Sequence, residues 1–282
     1  MISSKFVTTV TFLYLFCTVL YFNYLAFRSK KLGSLAVIST WAALTIHTVA
    51  ILARWIESYK MGFGHAPLSN MYESLVFFSW CITFIYLLWE IKLKTRIVGA
   101  FAMPFAFLAV AYAALSPGVS DRIDPLIPAL QSNWLHAHVI TCFLSYASFA
   151  VSCGVSVMYL IKVQREKPGG PEGGMLSLFP TLESLDALIY KTIAVGFPLL
   201  TIGIITGSAW ANYAWGAYWS WDPKETWSLI TWFVYAVFLH ARFTREWRGK
   251  STAILSLIGF GAVIFTYFGV NYVLSGLHSY AS

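Results

Sequence analysis

Long apolar stretches alternate with short polar segments along the whole chain. Each stretch has about the 20 residues that a helix needs to cross the hydrocarbon core of a bilayer. The pattern therefore predicts an all-α polytopic membrane protein, with one integral membrane domain over residues 1–282. Eight transmembrane helices are expected, at residues 6–27, 34–56, 72–91, 97–115, 135–161, 190–211, 226–243 and 252–273.

The basic residues between these spans fall in every second loop. Because loops rich in lysine and arginine stay in the cytoplasm, this alternation predicts four cytoplasmic loops and two termini outside. The basic loops are residues 28–31, 92–96, 162–167 and 242–250, and the outer loops are 57–71, 116–134 and 212–225.

Composition agrees with a bilayer environment, since 58% of the residues are hydrophobic and only 11% are charged. The net charge of +7 is explained by the cytoplasmic loops, so binding of nucleic acid is not indicated. All four cysteines lie in apolar stretches without a CxxC motif, which argues against a thiol-disulfide relay. A glycine-rich phosphate loop is also missing from the sequence, which argues against ATP hydrolysis.

One segment between spans has a different character. Residues 168–174 are rich in proline and glycine and are predicted to form a flexible cytoplasmic linker. Leu182, Leu185 and Leu188 follow at helical spacing, which predicts a short interfacial helix that leads into the sixth span. Residues 168–189 are therefore assigned to a cytoplasmic linker plus interfacial helix.

An aromatic segment at residues 210–227 stands between the sixth and seventh spans. Tryptophans often only anchor a protein at the membrane surface. Here, however, Asp222 suits a helix N-cap, Pro223 the first helical position and Glu225 the capping box, so the loop has a defined shape. A rigid aromatic floor of this kind suits a flat ligand. Its members are Trp215, Trp219, Trp221 and Trp227.

Histidines are the candidate ligands for such a group. A lone histidine is more often a hydrogen-bonded structural residue, but ionisable groups within spans are functional candidates. The topology places His138 and His278 outside, beside the aromatic loop, while His47 lies within the second span and His240 near the inner end of the seventh. Axial ligation of haem iron by two histidines would use one from each of two segments.

Several motifs together resemble the CcsA/ResC-type proteins of System II cytochrome c biogenesis. Residues 215–242 resemble the family's WWD domain, and residues 64–74, 134–139 and 276–280 resemble three further family motifs. The resemblance extends from about residue 41 to the end and is specific as a set.

This resemblance implies four axial ligands for haem iron. The family's outer pair corresponds to His138 and His278, and its intramembrane pair corresponds to His47 and His240, with His65 as the alternative inner ligand. The implied ligand is haem b. Trp215, Trp219, Trp221 and Asp222 are expected to form the outer haem-binding loop.

The implied activity is that of a cytochrome c synthase component. Haem would cross the membrane and be attached by thioether bonds to the CxxCH motif of apocytochrome c, with a CcsB/ResB-type partner. The expected location is the bacterial inner membrane, with the thylakoid membrane less favoured.

Two other functions remain open at this point. One is a membrane electron-transfer protein with two fixed haems, and the other is a haem exporter without synthase activity. Lys224 and Arg122 are candidates for the haem propionates on charge alone.

Overall fold

The computed structural model describes residues 1–165 and 175–274, and every regular element in these ranges is helical. Each of the eight predicted spans coincides with helical structure, so the predicted all-α class is confirmed. The helices are α1 (Ile2–Phe27), α2 (Lys30–Lys60), α3 (Met71–Leu93), α4 (Gly99–Leu115), α5 (Asn133–Arg165), α6 (Leu182–Trp215), α7 (Pro223–Thr244), α8 (Lys250–Ile264) and α9 (Val270–Val273).

Seven helical segments of the described chain are long and apolar enough to cross a membrane. They are Ile2–Phe27, Lys30–Lys60, Met71–Leu93, Arg96–Leu115, Asn133–Arg165, Leu182–Trp215 and Lys250–Val273. The last of these joins α8 to α9 through a π-helical turn at Phe265–Gly269. Helix α7 is 22 residues long but lies outside this set, so its role as an eighth span stays a prediction.

The helices form two compact units, the first with α1 to α4 and the second with α5 to α9. In the first unit α1 packs on α2 and α4, and α3 packs on α4. Its interior contains buried hydroxyl groups as well as apolar side chains: Tyr86 donates to the Tyr21 hydroxyl at 2.8 Å. Such paired hydroxyls satisfy polar groups that would otherwise be costly to bury.

In the second unit α5 packs closely along α6 and also against α8. Glycines on α6 allow this approach, because a Cβ at Gly196 would lie 2.6 Å from the Phe149 ring and one at Gly203 would lie 2.5 Å from Cys142 Sγ. Small residues at a helix interface let two backbones come close within a membrane.

Helix α6 is longer than the predicted sixth span at both ends. Residues 182–189, predicted as an interfacial helix, form its first two turns and bury Leu185, Leu188 and Ile189. At the other end the helix continues to Trp215 and stops at Gly216, whose φ of 77° is accessible to glycine at little cost. The predicted linker at residues 168–174 lies outside the described residues.

Candidate functional site

The aromatic segment forms a short loop between two helix ends. Gly216 ends α6, and α7 begins at Pro223. Between them Trp221 adopts a left-handed backbone conformation with φ 59°, which costs a residue with a Cβ about 1–2 kcal/mol. The loop therefore holds one large aromatic residue in a strained and defined position.

The start of α7 fixes this loop, as the sequence predicted. Asp222 Oδ1 accepts from the Lys224 amide at 2.9 Å, and Glu225 Oε2 accepts from the amides of Ser220 and Asp222 at 2.7 and 3.2 Å. The predicted N-cap, capping box and first-position proline are all confirmed. The other carboxylate oxygen, Glu225 Oε1, is buried and has no hydrogen-bond partner.

The tryptophans around the loop differ in exposure. Trp219 and Trp221 meet edge to face with ring centroids 5.8 Å apart, and the Trp221 side chain is 70% exposed. The indole nitrogen of Trp219 is buried without a hydrogen-bond partner. Trp215 packs edge to face against Trp210, whose own indole donates to the Ala129 carbonyl at 2.8 Å. The loop thus combines an anchored aromatic base with an exposed rim.

His138 lies on α5 beside this aromatic base. Its ring stacks on Trp210 at 5.9 Å and 19°, and its Nδ1 lies 2.7 Å from the Gly203 carbonyl on α6. A carbonyl oxygen can only accept, so Nδ1 of the neutral ring carries the proton. The lone pair is therefore on Nε2, the atom that a metal ion would bind.

Glycine at position 207 makes room for this histidine. A Cβ at Gly207 would lie 2.6 Å from His138 Nδ1 and 2.8 Å from Cε1, which is closer than real contacts allow. The His138 ring thus lies against α6 between the Gly203 carbonyl and Gly207, one turn later, which has no side chain to displace it. Its position depends on the close packing of α5 against α6.

A polar pair lies at the start of α7. Lys224 Nζ donates to Asn271 Oδ1 at 3.2 Å, and Asn271 Nδ2 donates to the Tyr267 carbonyl at 2.6 Å. Asn271 is the second residue after the π-helical turn at Phe265–Gly269, and such turns frequently occur at functional sites. Lys224 therefore has a hydrogen-bond partner on α9 within the second unit.

His240 lies on the exposed side of α7, near its C-terminal end. Two residues later Arg242 forms an ion pair with Asp186 on α6, with 2.6 Å between Arg242 Nη1 and Asp186 Oδ2. Asp186 also accepts from the Gly249 amide and the Thr252 hydroxyl. This network joins α6, the α7–α8 turn and α8 next to His240.

His47 lies on α2 in the interior of the first unit and is completely buried. Its Nδ1 is 3.0 Å from the Tyr14 hydroxyl on α1. Its Nε2 is buried and makes no hydrogen bond, although the Val76 carbonyl lies near the ring. An unpaired nitrogen in such a place is costly unless a ligand engages it.

His65 has the opposite arrangement. Both of its ring nitrogens face backbone carbonyls, with Nδ1 3.0 Å from the Ala66 oxygen and Nε2 3.0 Å from the Asp124 oxygen. Neither nitrogen can bind a metal ion while these contacts persist. His47, the first inner candidate, differs in having one ring nitrogen without a hydrogen bond.

A buried ion pair anchors the loop after α4 in the first unit. Arg54 Nε lies 2.7 Å from Glu73 Oε1, and both side chains are at most 2% exposed. The other two guanidinium nitrogens donate to the carbonyls of Asp121 and Arg122 at 2.9 Å each. We call the pair, with the two carbonyls that it binds, the arginine clasp.

The structure brings together some of the predicted residues. His138 stacks on Trp210, which packs against Trp215 in the second unit, and His240 lies in the same unit near the C-terminal end of α7. His47 belongs to the first unit. His278, the predicted partner of His138, lies outside the described residues.

Sequence reasoning missed two contacts of these histidines. Trp210 is the ring on which His138 stacks, and Tyr14 is the hydroxyl that holds His47. Trp210 carried a usable signal, since it lies in the same aromatic segment. Tyr14 carried none, because a tyrosine within an apolar span is ordinary.

Comparison with known proteins gives a consistent result. Residues 68–278 match the Cytochrome C assembly protein family. The chain is 42% identical to the cytochrome c biogenesis protein CcsA of Guillardia theta, over 98% of this chain and 96% of that protein. It is 40% identical to the CcsA protein of Gloeobacter violaceus, over 93% and 91% of the two chains.

One solved structure has a similar fold. The cytochrome c haem lyase CcmF superposes with a TM-score of 0.70 over 94% of this chain, at 16% sequence identity. This chain spans 46% of that longer chain. The likeness concerns the arrangement of the helices.

Proposed function

Since the chain belongs to the CcsA-type family of cytochrome c assembly proteins, we propose that it carries haem across the membrane and presents it for covalent attachment to apocytochrome c. Its role in cytochrome c biogenesis follows from family membership. The transport step, the thioether attachment and the residues involved are the proposal.

The proposal rests on the hydrogen bonding of the ring nitrogens in two histidines. His47 and His138 each have Nδ1 occupied by a neighbour, and Nε2 of His47 is buried without a hydrogen bond. Haem proteins bind iron through a histidine nitrogen whose partner nitrogen is held by the protein. Both side chains fit that description.

For the outer step we propose His138 and His278 as axial ligands, next to a surface formed by Trp215, Trp219 and Trp221. The half-exposed His138 ring and the 70% exposed Trp221 leave this region open to a large substrate. Asp222 holds the loop by capping α7. Fixing a flat substrate against the two thiols of a CxxCH motif is mainly a matter of position and orientation.

For the inner step we propose His47 and His240 as ligands of haem b. The absence of any hydrogen bond to His47 Nε2, and the carbonyl contacts of His65, favour His47 as the ligand on α2. The pairing of His47 with His240 stays a prediction. Haem is here a substrate that passes through, and each histidine supplies one nitrogen.

We further propose that the chain acts as a cytochrome c synthase component with a CcsB/ResB-type membrane partner. The partner would present apocytochrome c while this chain presents haem. The proposed location is a bacterial inner membrane with both termini outside, since the basic loops are the ones predicted to face the cytoplasm.

Covalent attachment to a reporter tests this function. The full chain is co-expressed with a CcsB/ResB-type partner and a CxxCH reporter, and covalent haem is measured by peroxidase staining. We expect attachment by the wild type, loss in His138→Ala, partial recovery with imidazole, and normal attachment in the control His136→Ala. His136 lies two residues from His138 on the same helix.

Two results would contradict the proposal. Equal attachment by His138→Ala and His136→Ala would make His138 a structural residue. Outward movement of haem without any attachment by the wild type and its partner would favour an exporter.

A further inference from the structure

The turn between α7 and α8 carries a cluster of exposed cations. Arg245, Arg248 and Lys250 are all exposed, against one acidic residue in the same turn. We call residues 243–250 the basic turn. It ends where the apolar segment Lys250–Val273 begins, which is long enough to cross a membrane. The cations therefore lie at the end of a candidate span, where positive side chains meet lipid headgroups.

Two exposed aromatic side chains accompany these cations. Phe243 is 68% exposed and Trp247 is 46% exposed. Aromatic rings beside basic residues are typical of the boundary between lipid tails and headgroups, and contact with lipid removes such rings from water. The rings and the cations together fit a phospholipid, because its acyl chains can contact the rings while its phosphate meets the cations. A soluble anion would use only the cations.

An ion pair at its base holds the basic turn in shape. Arg242 Nη1 lies 2.6 Å from Asp186 Oδ2 on α6, and the Gly249 amide donates to Asp186 Oδ1 at 2.8 Å. Arg242 Nη1 also donates to the Trp247 carbonyl at 3.1 Å, and the Trp247 amide donates to the Ala241 carbonyl at 3.2 Å. Both backbone groups of Trp247 are thus fixed.

Gly249 lets the basic turn rest on α5 as well. Its φ of 81° is accessible to glycine at little cost, and a Cβ at this position would lie 2.8 Å from the Tyr159 hydroxyl. The backbone of the turn is therefore fixed from inside by α5 and α6, while its cations stay exposed. A fixed backbone reduces the entropy that is lost when the cations bind an anion.

We propose that the basic turn is a binding site for an anionic phospholipid. Arg245 and Arg248 bind the headgroup phosphate, and the two exposed rings contact the acyl chains next to it. Arginine presents its donors in a planar fork that matches two phosphate oxygens, whereas lysine acts as a point charge. The two arginines therefore contribute more than Lys250. Haem takes no part in this contact, so the site is independent of the proposed function.

Removing the two arginines tests the site. Each cation near an anionic membrane surface contributes about 5-fold in binding, so Arg245→Gln with Arg248→Gln should weaken binding about 25-fold. The variant Arg245→Lys with Arg248→Lys keeps the charge and loses the fork, so its loss should be smaller. The matched control is Lys30→Gln with Lys31→Gln, which removes two exposed cations from the turn between α1 and α2. It should keep the parent's affinity.

The measurement uses the full-length chain purified in detergent. The protein is titrated with phosphatidylglycerol or with phosphatidylcholine of the same acyl chains, and native mass spectrometry gives the dissociation constant of the first bound lipid. We expect the parent to bind phosphatidylglycerol more tightly, and the variant without the two arginines to lose this preference. Glycerol phosphate, a soluble form of the headgroup, should compete only weakly because it has no acyl chains.

Asp186→Asn tests whether the fixed turn matters beyond its charge. It removes the negative partner of Arg242 and leaves the exposed cations in place. Charge alone would then make phosphatidylglycerol bind more tightly, since the net positive charge rises. Loss of the fixed turn predicts weaker binding, which is the result we expect. If Asp186→Asn does not fold, the variant without the two arginines decides alone.

Three results would overturn the lipid site. The first is equal affinity for phosphatidylglycerol in the parent and in Arg245→Gln with Arg248→Gln. The second is an equal loss in the control Lys30→Gln with Lys31→Gln, which would make net charge the cause. The third is binding of glycerol phosphate as tight as that of phosphatidylglycerol, which would identify a site for soluble phosphate. Tighter binding in Asp186→Asn would overturn the role of the fixed turn.

Discussion

His47 and His138 are each held at Nδ1 by a hydrogen-bond partner, but the partners differ in kind. In the first unit a side-chain hydroxyl holds Nδ1 of a fully buried ring, whereas in the second unit a backbone carbonyl holds Nδ1 of a half-exposed ring. The Gly203 carbonyl can only accept, so it places the proton of His138 on Nδ1. The Tyr14 hydroxyl can donate or accept, so it does not by itself decide which nitrogen of His47 carries the proton. The position of the buried His47 ring therefore depends on a neighbouring side chain, and that of the His138 ring depends on helix packing.

The largest expected effect comes from removing either histidine. His47→Ala and His138→Ala should each weaken haem binding at their own site by at least the roughly 100-fold that loss of a hydrogen-bond partner alone can cost. Added imidazole should restore the low-spin spectrum quickly in His138→Ala and slowly in His47→Ala, because only the second position is fully buried. Stopped-flow absorbance after mixing with imidazole measures the two rates, and equal rates would remove this contrast.

Gly207→Ala tests the dependence of His138 on helix packing. The added methyl group would lie 2.6 Å from the His138 ring, and overpacking of this kind costs about 1–3 kcal/mol. We expect a clear loss of covalent attachment in the reporter assay. The control is Gly261→Ala on α8, where no atom lies within 4 Å of the new Cβ, and this variant should keep wild-type attachment.

Asp222→Ala should have a smaller effect than a ligand variant. It removes the N-cap of α7, which costs about 1 kcal/mol, and loosens the loop that holds Trp221. Attachment should fall without recovery on addition of imidazole, since no iron ligand is missing. Asp222→Asn retains a capping side chain and should keep most of the activity, and recovery of Asp222→Ala by imidazole would contradict a purely capping role.

Trp221→Gly should separate stability from function with the smallest effect on folding. Glycine relieves the left-handed strain at φ 59°, which costs about 1–2 kcal/mol, but removes an exposed aromatic ring. Thermal unfolding in detergent should show equal or higher stability, while the reporter assay shows less attachment. Wild-type attachment would exclude Trp221 from the haem-binding surface.

Helix positions and the cap of α7 could be predicted because they depend on neighbouring residues. A run of apolar residues and the order Asp222, Pro223, Glu225 each determine structure locally. The length of α6 was underestimated because the polar residues near its ends look like loop. Helix α6 continues past Pro198 and ends only at Gly216. The polar residues before Leu185 lie on its exposed side.

The surroundings of the histidines could not be predicted, because they depend on residues far apart in sequence. Tyr14 and His47 are separated by 33 residues, and His138 and Gly203 by 65. The resemblance assigned His47 as the inner ligand with His65 as the alternative, and this assignment stays a prediction. Hydrogen bonds occupy both nitrogens of His65 and only one nitrogen of His47, a difference that no sequence pattern reveals.

The arginine clasp affects which substitutions the loop after α4 can accept during evolution. Arg54 binds the carbonyls of Asp121 and Arg122, and His65 lies within hydrogen-bond distance of the Asp124 carbonyl. These contacts hold the loop through its backbone and not through its side chains. Every amino acid supplies the same carbonyl. The side chains at these three positions, all of them exposed, are therefore free to be replaced without moving the loop. New surface chemistry can accumulate there while the fold beneath stays the same.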